Sequence, residues 1–89
     1  PDGFALVAEQ NRRKSNGMVV KQRVYSDGLS SVSVFLEQKT LAHGHLEGGT
    51  RMGAVNAFGL IADTHFITAV GQVPGRTVEE IGRSIKVAD

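Results

Sequence analysis

The chain of 89 residues contains no cysteine, which excludes a disulfide framework, a thiolate metal site and a thiol nucleophile at once. Packing alone must hold the fold together. Long apolar runs are missing too, and the few that occur are much too short for a helix that spans a bilayer. A strong charge of either sign is also lacking. The net charge of +1 argues against a nucleic-acid surface, which carries a pronounced basic excess. The chain opens Pro1-Asp2-Gly3 rather than with Met, so the expectation is a piece of a longer protein, from which any export signal would already be gone.

What is present is ordinary globular material. Hydrophobic residues make up 40% and charged residues 21%, far from the composition of disordered chains. One small domain with a thin core is expected, because a chain of this size buries only roughly 60 to 65% of its unfolded surface. The charge is uneven along it. Up to residue 25, Arg12, Arg13, Lys14, Lys21 and Arg23 face only Asp2 and Glu9, a local excess of +3, while the remainder is acidic by two.

The pattern predicts α+β architecture: a bent antiparallel sheet of about five strands with one C-terminal amphipathic helix on it. Phe4, Leu6 and Ala8 alternate as in a strand, and Ser15-Asn16-Gly17 tolerates the positive φ of a hairpin. In the next strand Met18, Val20 and Val24 share one face, leaving Lys21, Arg23 and Tyr25 on the other. Asp27-Gly28 is the pair favoured in a two-residue hairpin turn. A third strand runs from Leu29 to Gln38, with Val32, Val34 and Leu36 on one face. Periodicity fails from Lys39 to Gly49, which reads as a loop. Arg51 to Ile61 reads as one strand, Ala62-Asp63-Thr64 as a turn and His65 to Val70 as the fifth strand. Thr77-Val78-Glu79-Glu80 fits a capping box with Thr77 as the cap, so a helix is expected from Thr77 to about Lys86 with Val78, Ile81 and Ile85 as its inward stripe.

No catalytic chemistry emerges. His43-Gly44-His45 offers two metal ligands where zinc sites need three or four, and His65 would join them only by coincidence of the fold. Exposed strand serines such as Ser31 and Ser33 lack a nucleophile turn. The glycines before the helix, Gly71 and Gly75, flank Pro74 and form no phosphate-loop or dinucleotide fingerprint. Neither a cofactor nor a metal is expected.

The string Arg23-Val24-Tyr25-Ser26-Asp27-Gly28-Leu29-Ser30-Ser31-Val32-Ser33-Val34 resembles the R-x-Y-S-D-G-L-x-x-x-S-V signature of the MucB/RseB family. Pro1-Asp2-Gly3-Phe4 resembles that family's Pro-x-Gly-Phe entry to its C-terminal domain. Val70-Gly71-Gln72-Val73-Pro74, with Thr77 and the stretch Ile81 to Lys86, resembles its Val-Gly-Glu-x-Pro run and closing helix. Gln72 departs from the pattern where an acidic residue is frequent.

The resemblance implies that residues 1–89 form the small C-terminal domain of a non-enzymatic periplasmic regulator, with a larger lipoprotein-carrier-like N-terminal domain outside this chain. Such regulators bind the periplasmic segment of a MucA/RseA-type anti-sigma factor and shield it from site-one proteolysis until lipid or lipopolysaccharide relieves the block. The partners implied are that segment, the chain's own N-terminal neighbour and a lipid, with self-association left open. For partner contact, the expected residues are Lys21, Arg23 and Tyr25 with Arg12, Arg13 and, beside the turn, Leu29, since exposed Arg and Tyr are favoured interface anchors. Asp27 and Gly28 are assigned to the turn. Two competing readings are a module that docks only on its neighbouring domain and an anionic-lipid module using Arg12, Arg13, Lys14, Lys21 and Arg23; a small hydrolase is a distant third.

Overall fold

The computed structural model describes residues 3–13, 19–38, 47–62 and 65–85. Six strands, β1 (Ala5–Arg13), β2 (Val19–Ser26), β3 (Ser31–Gln38), β4 (Gly48–Met52), β5 (Val55–Ala62) and β6 (His65–Gly71), precede one helix, α1 (Gly75–Ser84). They form a single sheet in the order β1-β2-β3-β6-β5-β4. Every neighbouring pair is antiparallel. The Ser15-Asn16-Gly17 turn, the stretch Lys39–Leu46 with His43 and His45, and Asp63-Thr64 lie outside the described residues.

The α+β architecture of an antiparallel sheet with one C-terminal helix is as expected, and the sheet of about five strands has six. The stretch Arg51 to Ile61 breaks at Gly53-Ala54, where Gly53 takes φ +62° and closes a two-residue hairpin loop between the paired Met52 and Val55. Gly48 and Gly49, expected in a loop, begin β4 opposite Gly59 and Phe58.

The β2–β3 connection also differs. Ser26 pairs with Ser31, so the loop is Asp27 to Ser30, four residues rather than two. The Asp27 carboxylate organises it by accepting from the backbone N–H of Leu29 at 2.9 Å and of Ser30 at 2.8 Å. Such a side-chain clamp mimics a backbone turn and competes with the tighter hairpin. The N–H groups of Ser30 and Leu29 hold the Asp27 carboxyl below its ordinary range. Gly28 takes φ +95°, a conformation that costs an L-residue about 1–2 kcal/mol. Leu29, expected beside the turn, is 95% exposed at the tip. Tyr25 stands opposite Leu6 and Val32 and packs on the core.

The helix begins at Gly75, two residues before the expected start, and Thr77 is not its cap. Pro74 holds that position with φ −55° and ψ 148° and without a side-chain cap bond. Its carbonyl accepts from the N–H of Thr77 at 2.8 Å and of Val78 at 3.3 Å. The fixed φ of proline supplies the entry geometry that the Thr hydroxyl was expected to stabilise. The helix ends at Ser84, with Ile85 already extended.

The inward stripe is as expected: Val78 and Ile81 are buried and Ile85 packs at the margin. Each buried aliphatic side chain contributes about 1.5–3 kcal/mol. They close over Val32, Val34, Leu36, Phe58, Ile67 and Ala69. Gly82, between them, lets the helix backbone settle on the Phe58 ring. The helix lies mainly on β5, β6 and β4, so it covers one half of the sheet.

Candidate functional site

The half of the helix-bearing face that the helix does not cover is where charge collects. The register aligns Glu9, Arg23, Val34, Ala69 and Phe58 in one cross-strand row, and Asn11, Lys21, Leu36, Ile67 and Leu60 in the next. Side chains in one row share a face. The charged side of β2 is therefore continuous with the apolar side of β3, which is the core side. Alternation separates Lys21, Arg23 and Tyr25 from Val20 and Val24 as expected; the pairing with β3 decides which set joins the core.

The result is a shelf beyond the helix, with a cavity of about 240 Å³. From β2 it takes Val19, Lys21 and Arg23, and from β1 Asn11. Leu36 and Gln38 of β3 and His65 of β6 complete it. Arg23 has only 19% of its side chain exposed, and its Nε donates to Glu9 Oε2 at 2.8 Å. Burial alone pulls its pKa down, but the hydrogen bonds offered by Glu9 and Tyr25 and the negative charge of Glu9 outweigh that and hold it above its ordinary value. Arg23 is thus a fixed, neutralised cation. Lys21 is half-buried, and among the described residues its ammonium has neither a hydrogen-bonding nor an ion-pair partner.

The expected contact residues do not all meet. Lys21 and Arg23 line the shelf, and Tyr25 follows on the same face. Arg13 stands opposite Val19 on that face, exposed. Arg12 points to the reverse face, where its Nε donates to Gln22 Oε1 at 2.6 Å. There Gln22, only 9% exposed, also accepts from Gln10 at 3.1 Å and donates to Ser33 Oγ at 3.5 Å. Leu29 is at the hairpin tip, apart from the shelf. Sequence reasoning missed Asn11, Val19, Leu36, Gln38 and His65 as neighbours of Lys21. The signal that would find them is the β2–β3 register, which a four-residue loop fixes differently from a two-residue one.

A larger hollow of about 380 Å³ lies between β4 and the start of the helix, lined by Arg51, Asn56, Phe58 and Glu79 among others. Its charges are already engaged: Arg51 Nε donates to the Gly53 carbonyl at 2.8 Å, and Glu79 accepts from Arg83 at 2.9 Å. The shelf is the better candidate. Among the described residues no three His, Asp or Glu side chains converge as metal ligands.

The family model of the MucB/RseB C-terminal domain matches residues 1–86. The chain belongs to that family. It is 32% identical over 88 residues to the Sigma-E factor regulatory protein RseB of Salmonella typhimurium (strain 14028s / SGSC 2262), covering 97% of this chain and 27% of that protein. RseB of Escherichia coli (strain K12) is similar to the same extent. The fold matches a solved complex of Pseudomonas aeruginosa MucA and MucB with a TM-score of 0.75 and 30% identity, over 92% of this chain and 30% of that one. A second structure, of MucB in complex with MucA(peri), matches with a TM-score of 0.74 and 30% identity, over 92% of this chain and 32% of that one. The chain therefore spans about a quarter to a third of the relatives it matches. These relatives are regulators and binding proteins.

Proposed function

We propose that this domain is part of a periplasmic regulator of an envelope-stress sigma factor, and that it helps to hold the periplasmic segment of a MucA/RseA-type anti-sigma factor. The observation that carries this reading is the likeness to MucB in the structures solved with MucA, at 30% identity over 92% of this chain. The mechanism is occlusion. A segment held against the protein is kept from the cleft of a site-one protease, and a lipid or lipopolysaccharide that favours the unbound form releases it. Such a ligand acts only through different affinities for the two forms. A larger lipoprotein-carrier-like domain, N-terminal to this one, completes the regulator.

One observation favours a second reading, docking on that neighbouring domain. Strand β1 is exposed along its whole length, with Leu6 50% and Val7 60% exposed, and edge strands left so open are normally covered or blunted. The two readings separate in one experiment: the site-one protease digests the anti-sigma segment with the intact regulator, with this domain alone, or with neither. Slower cleavage by the domain alone supports direct holding. Protection that needs the intact regulator, with no binding of the segment by this domain, supports docking only.

A further inference from the structure

Lys21 is the unusual feature of the shelf. Among the described residues its ammonium has neither a hydrogen-bonding nor an ion-pair partner and is free to take one, whereas Arg23, one row away, is matched by Glu9 at 2.8 Å. Around Lys21 stand two side-chain amides, Asn11 and Gln38, and two apolar side chains, Val19 and Leu36. We infer that the shelf seats one acidic side chain of a bound extended peptide, its carboxylate on the Lys21 ammonium and its backbone crossing the amides of Asn11 and Gln38. This rests on the reading of the domain as a holder of the anti-sigma segment, and it names the chemistry and the place.

Three observations select a peptide. The charge is complementary to a carboxylate. The cavity of about 240 Å³ falls below the roughly 300–1,000 Å³ of pockets that enclose whole small molecules, and suits a side chain. The lining mixes a cation without a partner among the described residues, amides that match a peptide's N–H and C=O groups, and aliphatic carbon that packs on a neighbouring side chain. A lone phosphate uses only the first of these.

The test is a double-mutant cycle. A synthetic peptide covering the anti-sigma periplasmic segment is titrated into the 89-residue chain, and each Asp and Glu of the peptide is replaced in turn by Asn or Gln. Lys21→Gln is expected to weaken binding about fivefold, the scale of a partly exposed ion pair, and Lys21→Arg to retain most of it. One peptide carboxylate must give the same loss on wild type and no further loss on Lys21→Gln. Because that half of the cycle changes only the peptide, the domain's stability does not enter. Peptide binding that ignores both Lys21→Gln and every carboxylate overturns the seat while leaving the holding function intact. Absence of peptide binding to the wild-type chain overturns both. Vesicles containing phosphatidylglycerol and inorganic phosphate are run in parallel, and Lys21-dependent binding to either, without carboxylate-dependent peptide binding, assigns the shelf to a phosphate instead.

Discussion

Glu9 and Arg23 meet across the β1–β2 ladder, Oε2 to Nε at 2.8 Å, on the face that also carries the helix. This pair sets the charge of the shelf, because it cancels one of the cations expected to attract an acidic partner. Removing the carboxylate takes away the charged partner of a mostly buried guanidinium. Glu9→Gln should therefore lower stability in urea by about 1–2 kcal/mol. It should also tighten binding of an acidic peptide at low salt by a few-fold, since the shelf then presents a second uncompensated cation. Unchanged stability with unchanged affinity would show that the pair is a surface contact without consequence.

Gly28 is predicted to be needed for its backbone and not for its size. A Cβ at this position would meet nothing within 4 Å, yet φ is +95°. Gly28→Ala should lower the unfolding free energy by about 1–2 kcal/mol. D-Ala, introduced by chemical synthesis, should restore most of it. Equal loss with both enantiomers would point to a steric cause.

The Asp27 carboxylate accepts from two backbone N–H groups, and its pKa is lowered on folding. A depressed folded-state pKa contributes stability that is present above the unfolded-state value and is lost as pH falls through the folded-state value. Asp27→Asn keeps an acceptor without the charge. It should flatten the acid limb of the stability profile below about pH 4, while Asp27→Ala should lower stability at neutral pH as well. Thermal melts of the three proteins from pH 2 to 7 measure both effects.

Thr77 should be dispensable for the start of the helix. Capping Thr→Ala changes typically cost about 0.5–2 kcal/mol, but Pro74 occupies the cap position and no side chain caps the helix. Thr77→Ala should change stability by less than about 0.5 kcal/mol. Gly82→Val should cost about 1–3 kcal/mol by overpacking, because even a Cβ there would lie 3.0 Å from Phe58 Cδ2. The reverse order in urea melts would contradict the helix placement.

Much of this fold is readable without coordinates, for reasons that differ between elements. Strands β1, β2 and β3 announce themselves because their alternation is local, and β6 because its apolar residues run between the expected turn at Ala62-Asp63-Thr64 and Pro74. The β4–β5 hairpin is hidden, since Val55, Phe58, Leu60 and Ile61 supply apolar side chains to both faces and Gly53-Ala54 is a weak turn dipeptide. Thr77-Val78-Glu79-Glu80 satisfies the capping pattern, yet a proline three residues earlier starts the helix first. The shelf is less legible still. Lys21 and Arg23 stand out as charges, but their neighbours Leu36, Gln38 and His65 are distant in sequence, and only the strand register brings them together.

The uncovered part of the helix-bearing face is where the anti-sigma segment is expected to bind. Amide shift mapping of the isotopically labelled chain during titration with that segment tests it most directly. Shifts are expected to cluster at Asn11, Val19, Lys21, Leu36, Gln38 and His65 and to leave Arg12 and Gln22 of the reverse face and the Leu29 tip unmoved. Shifts confined to Arg12 and Gln22, or to the Asp27–Ser30 loop, would contradict it.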